Sequence, residues 1–212
     1  MTGRGIEFVR SIRLRQLNPI SCHHGATHDR AASYSCWGQK TRKEGAMSLP
    51  QVAGGYGLAP GEGEPLWFNG GFAVLKATAD QTGGQFAAME LLAPKGFASP
   101  IHIHRAEDEF FVVLDGEVRV RHGDEVIEAV AGSLVYGPRG VPHGFHVDSA
   151  EARLLLFFGP GGVEGFFRDA GKPARTHGLP PAGEPFPDRQ ALTEIMTRWH
   201  QEIVGPPLPP RG

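Results

Sequence analysis

From Leu66 to about Phe158 the chain is cut by turn residues into short apolar stretches. Residues 72–78 and 85–92 read as strands, and Thr82-Gly83-Gly84 between them is a hairpin signal. Residues 109–115 and 117–122 follow, separated by the turn dipeptide Asp115-Gly116. A second turn at Gly123-Asp124 leads into residues 126–130, and residues 133–136, 143–148 and 152–158 complete the series. Such a succession predicts an all-β sandwich or barrel, without choosing between their topologies. The period then changes. Residues 162–170 read as a short helix, and 172–187 as a Pro/Gly-rich linker. Leu192, Ile195, Met196, Trp199 and Ile203 fall at helical spacing, with Asp188 as N-cap and Gly205-Pro206-Pro207 as the stop. This helix is expected to cover the core from outside the barrel.

Composition refines this picture at one end. Residues 1–46 hold eight Lys/Arg against three Asp/Glu, leaving the rest of the chain acidic within a formal net charge of -2. They show no sustained period of 2 or 3.6, and no compact apolar stretch with a small-residue cleavage site. The expectation is a basic extension, either disordered or outside the native protein if translation starts at Met47. A metal site from Cys22, His23, His24, His28 and Cys36 is a third reading, but those spacings match no established zinc pattern. The expected organisation is therefore an extension over 1–46, a barrel over 47–171, and a linker with a C-terminal helix over 172–212. Both cysteines precede Met47, which fits a reducing cytoplasm. The charge balance points to neither nucleic acid nor an anionic membrane, and no apolar run nears the roughly 20 residues of a membrane span.

The chemistry concentrates between Gly96 and His143. His102 and His104 are two apart, so on a strand both imidazoles face one side. Glu109 sits five residues later, an odd offset that requires a turn through residues 105–108 before it can face the same interior. His143 follows a Gly/Pro-rich stretch. Three neutral imidazoles and one carboxylate suit a divalent transition ion: iron, nickel, manganese, cobalt, copper or zinc.

The spacing G-x5-H-x-H-x4-E-x6-G from Gly96 to Gly116 resembles the first motif of the cupin superfamily. G-x5-P-x-G-x2-H from Gly132 to His143 resembles the second, which commonly ends in Asn where Val147 stands here. That position is not a ligand in the family. The resemblance implies a cupin double-stranded β-helix, a jelly-roll barrel, holding one metal through His102, His104, Glu109 and His143. From about Leu58 to Pro209 the chain is similar to small single-domain bacterial cupins described as quercetin 2,3-dioxygenase-like. In that group quercetinase activity opens the central flavonol ring with dioxygen and releases carbon monoxide. The implied reaction is a metal-dependent dioxygenation of a small aromatic or enolic substrate, with Glu109 as both ligand and proton acceptor. A cupin isomerase or other oxygen-independent enzyme, and a non-enzymatic small-molecule or metal-binding cupin, are the alternatives. No helix-turn-helix accompanies the barrel, which argues against a transcription factor.

Around this set, alternation sends His146 to the face opposite His143, as a non-ligand. Phe86, Met89, Phe111, Tyr136 and Phe145 are expected either to line an apolar cavity or to fill the core. Phe110, Val112 and Leu114 form a second apolar face on the strand of Glu109. That face needs cover from the N-terminal arm, the C-terminal helix or a second subunit, and a homodimer through it is the expectation.

Overall fold

The computed structural model of the protein describes residues 54–211. Readings made on residues 1–46, including the Cys22–Cys36 cluster and the Met47 start, lie outside the described residues.

Strands dominate. In chain order they are β1 (Glu64–Phe68), β2 (Gly71–Ala77), β3 (Ala87–Pro94), β4 (Ile101–His104), β5 (Asp108–Asp115), β6 (Glu117–His122), β7 (Glu125–Val130), β8 (Leu134–Gly137), β9 (His143–Val147), β10 (Glu151–Gly159), β11 (Lys172–Pro173) and β12 (Gln201–Gly205). Three helices interrupt them: α1 (Ala79–Thr82), α2 (Glu164–Ala170) and α3 (Arg189–Arg198). The strands form a 7-stranded sheet ordered β11-β1-β2-β3-β10-β5-β8 and a 5-stranded sheet ordered β12-β4-β9-β6-β7. All described pairings are antiparallel. This is the expected jelly-roll barrel.

The core lies between the sheets. Alternation along β5 buries Glu109, Phe111 and Val113, and along β10 it buries Ala152, Leu154, Leu156 and Phe158. Val118, Val120, Phe145 and Val147 meet them from the other sheet. Between residues 101 and 159 the chain repeatedly crosses from one sheet to the other. Residues distant in sequence therefore share one interior.

Several local expectations are corrected. Thr82-Gly83-Gly84 is not a tight hairpin turn. Residues 79–82 make one helical turn, closed by a reciprocal Thr78–Gln81 capping box and by Gly83 in the left-handed region at φ 65°. The break expected at Asp115-Gly116 is present, and it carries the chain from one sheet to the other. Gly116 has φ 84°, and an added Cβ would collide with the Glu151 carbonyl oxygen, so both backbone and space demand glycine there.

The C-terminal helix is shorter than its apolar spacing suggests. Asp188 does cap it, accepting from the Ala191 N–H at 2.9 Å, but the helix ends at Arg198. His200 turns the chain at φ 57°, and Ile203 lies on strand β12 instead. The β-branched pair Ile203-Val204 and the open edge of β4 favour a strand there. β1, β11 and β12 went unforeseen. Trp199 seats its ring against Gly165 of α2, where any side chain would clash, and its indole N–H donates to Asp169 at 2.9 Å.

Among the described residues no helix is long and apolar enough to cross a membrane.

Candidate metal centre

β4 is only four residues long, Ile-His-Ile-His, and all four are buried. Its alternation turns His102 and His104 toward the barrel interior. The chain bends at Arg105 and Ala106 and enters the other sheet, where Glu109 pairs with Gly137 of β8 and Phe158 of β10. The turn demanded by the odd offset is thus present, and it works by changing sheets. His143 opens β9 directly across from His102. One ligand atom from each of His102, His104, Glu109 and His143 lies within 4.8 Å of the others.

The ring orientations decide what this cluster can hold. His102 Nδ1 lies 2.8 Å from the Pro100 carbonyl, and His143 Nδ1 lies 2.9 Å from the Val141 carbonyl. Carbonyls only accept, so each Nδ1 carries the proton and each Nε2 presents a lone pair. His104 Nδ1 faces the Glu107 carboxylate at 3.4 Å, which favours the same tautomer. The three Nε2 atoms then converge: His102 on His104 at 3.2 Å, His104 on Glu109 Oε2 at 3.3 Å, and His143 on Glu109 Oε2 at 3.0 Å. Lone pairs and an anionic oxygen packed this closely out of water repel unless a cation lies among them. The four residues could bind a divalent metal ion, and backbone carbonyls and Glu107 supply the outer hydrogen bonds such ligands use.

Burial, with His104 and His143 as neighbours, lowers the His102 pKa to about 3, so its ring is neutral. Burial also disfavours charge on His104, but hydrogen bonds to Glu107 and Glu109 outweigh it and raise its pKa to about 9, so a proton competes with a metal ion for its Nε2. Burial opposes ionisation of Glu109, yet the His104 and His143 imidazoles that face it hold its carboxyl well below the usual range. The site keeps one carboxylate ionised and attracts positive charge.

The centre forms one end of a cavity of about 70 Å³. Phenylalanines are the commonest residues in its walls, with Met89 and Leu91, and Phe186, Leu192 and Met196 line it as well. The C-terminal helix therefore bounds the site as well as covering core.

Of the candidate lining residues, Met89 and Phe145 do face the cavity. Phe111 is core, its ring edge-on to His143 at 6.1 Å. Phe86 and Tyr136 are corrected: they are 41% and 47% exposed, Tyr136 because its position on β8 alternates outward and Phe86 because it lies just before β3 begins. His146 lies outside the ligand set, buried and hydrogen-bonded to Asp148 at 2.9 Å. Sequence reasoning missed Glu107, whose loop position carries no periodic signal. It also missed Gln201, which lines the cavity from β12.

Residues 88–158, which include all four converging side chains, match the cupin domain family model. The chain belongs to the cupin superfamily. This cupin is 30% identical over 155 residues to the quercetin 2,3-dioxygenase of Bacillus subtilis, an alignment covering 70% of the chain and 46% of that protein. An uncharacterised protein of Streptomyces coelicolor is 40% identical over 55 residues, covering 26% of the chain and 52% of its own. The cupin thus spans about half the length of these curated relatives. Among solved structures, an RmlC-like cupin from Shewanella frigidimarina aligns at 21% identity and TM-score 0.43, over 48% of this chain and 87% of that one.

Proposed function

We propose that this cupin is a metal-dependent dioxygenase acting on a small aromatic or enolic substrate, with quercetin-type flavonols as the first candidate. The observation that carries this reading is the three-histidine, one-carboxylate set beside a largely apolar, phenylalanine-rich cavity that His102, His104 and Glu109 line. The similarity to a quercetin 2,3-dioxygenase supports it. A bound iron, nickel, manganese, cobalt, copper or zinc ion supplies Lewis acidity toward an enol or phenol oxygen.

The chain's own residues do the rest. His102, His104 and His143 would hold the ion through Nε2. Glu109 faces the same point as a carboxylate, placed to accept the proton of an arriving hydroxyl. The phenylalanine walls exclude water and offer flat surfaces to an aromatic ring. At about 70 Å³ the cavity is well below the roughly 300–1,000 Å³ of ordinary ligand sites. A flavonol fits only if the cavity widens.

The same proposal takes residues 47–171 as the barrel, 172–212 as its C-terminal wrap and 1–46 as an extension. It places the protein in the cytoplasm as a homodimer. The dimer rests on the outer face of the larger sheet, where Phe110 stacks on Tyr136 at 4.8 Å and Val112 stands beside the exposed Leu134.

Anaerobic quercetin should shift its absorbance on mixing with metal-loaded protein, and oxygen should then release carbon monoxide. Silence with iron, nickel, manganese, cobalt and copper alike removes the flavonol assignment. Turnover without oxygen points to an isomerase or other oxygen-independent cupin. Tight metal with no turnover points to a binding protein.

A further inference from the structure

Gln201 is 4% exposed and lines the metal-centre cavity. Its Nε2 has no hydrogen-bond partner among the described residues. The other neutral polar side chains of the cavity are engaged: Asn69 donates to the Ala98 carbonyl, and Ser99 accepts from the Phe145 N–H. An unpaired amide out of water costs about 1–3 kcal/mol, so its retention in an apolar cavity calls for a partner that arrives from outside.

Its place in the fold says where that partner sits. Gln201 pairs with His104 across the β12–β4 ladder, and Ile203 pairs with His102. Directly paired residues project from the same face of a sheet with Cβ atoms roughly 4.5–5.5 Å apart. The Gln201 carboxamide therefore projects inward beside the His104 imidazole. Glu202 and Val204 alternate outward and are exposed.

We infer that Gln201 is a substrate-positioning residue, its carboxamide N–H donating to a second oxygen on the carbon next to the one whose oxygen is held at the His102–His104–Glu109–His143 centre. This rests on the aromatic or enolic reading above and narrows it. The substrate class is a vicinal oxygen pair, as in a catechol or an enol beside a ketone. Because Gln201 pairs with His104, its amide and the centre address neighbouring positions of one ligand.

The test uses the full chain loaded with redox-silent zinc, titrated with 4-nitrocatechol and with 4-nitrophenol. The two rings are of similar size and differ in the second oxygen, so the demands of opening the cavity largely cancel. Gln201→Met and Gln201→Leu should weaken 4-nitrocatechol by about tenfold or more, with 4-nitrophenol and zinc stoichiometry unchanged. Both variants should melt at or above the wild-type temperature, because an unpaired buried donor is replaced by an apolar chain of similar size. A lowered melting temperature assigns Gln201 a structural role and overturns the inference. Equal weakening of both probes, or no weakening of either, overturns it while leaving the function intact. Failure of the wild type to bind either probe refutes the aromatic-substrate reading itself, and the role of Gln201 with it.

Discussion

Glu107 Oε2 lies 3.4 Å from His104 Nδ1, on the side of the imidazole turned away from the other converging groups. Both side chains are buried. The carboxylate fixes the tautomer and the tilt of the ring and makes its Nε2 a better donor. Glu107→Ala should lower metal affinity by about ten- to a hundredfold, with Glu107→Gln recovering part of the loss. Competition against a calibrated chelator measures this. Unchanged affinity in both variants removes the supporting role.

The four converging side chains should divide by function. His102→Ala and His143→Ala should lose bound metal, read by elemental analysis of purified protein. Glu109→Gln keeps an oxygen donor but removes the proton acceptor, so it should retain a substantial share of metal. Its oxygen consumption on a flavonol should nonetheless fall by about 10²-fold or more. Wild-type activity in Glu109→Gln removes the proton-accepting role.

Met196 is 3% exposed and faces the cavity from α3. Met196→Ala should cost about 2–5 kcal/mol in chemical denaturation. If access limits turnover, the same change should speed binding of a bulky flavonol in stopped-flow mixing. A slower or unchanged on-rate places the entrance elsewhere.

Asp148 accepts from Arg119 at 2.6 and 2.8 Å, and His146 lies 2.9 Å away. Chiefly the Arg119 hydrogen bonds hold the Asp148 carboxyl below its ordinary value, against the opposing effect of burial. A depressed folded-state pKa adds stability above the unfolded value near 3.9, and that stability is lost as pH falls through the folded one. Asp148→Asn should therefore destabilise by about 1–3 kcal/mol at neutral pH, and the gap to wild type should begin to narrow below about pH 4. Urea titrations at pH 7 and pH 3 compare the two. A gap independent of pH means the ion pair is not its source.

The apolar outer face of the larger sheet makes the dimer checkable. Leu134 is 62% exposed and pairs with Val112. Light scattering should give twice the chain mass for wild type and a monomer for Leu134→Glu, with the fold unchanged by circular dichroism. A monomeric wild type removes the dimer.

What the sequence determined by itself was whatever depends on local spacing. The period of 2 around His102 and His104 placed both rings on one face, and the odd offset to Glu109 required the bend found at Arg105 and Ala106. The cupin motif spacings carried the barrel and its candidate ligands, His143 among them. The tertiary structure decided what depends on which strands become neighbours. Ile203 fits a helical period equally well, and only the open edge of β4 recruits residues 201–205 as a strand. Tyr136 is an aromatic residue in a barrel strand, yet its facing depends on register with partners far along the chain. Glu107 and Gln201 join the site from a loop and from the last strand. An isolated glutamate or glutamine carries no periodicity, so its role exists only once the fold brings it beside His104.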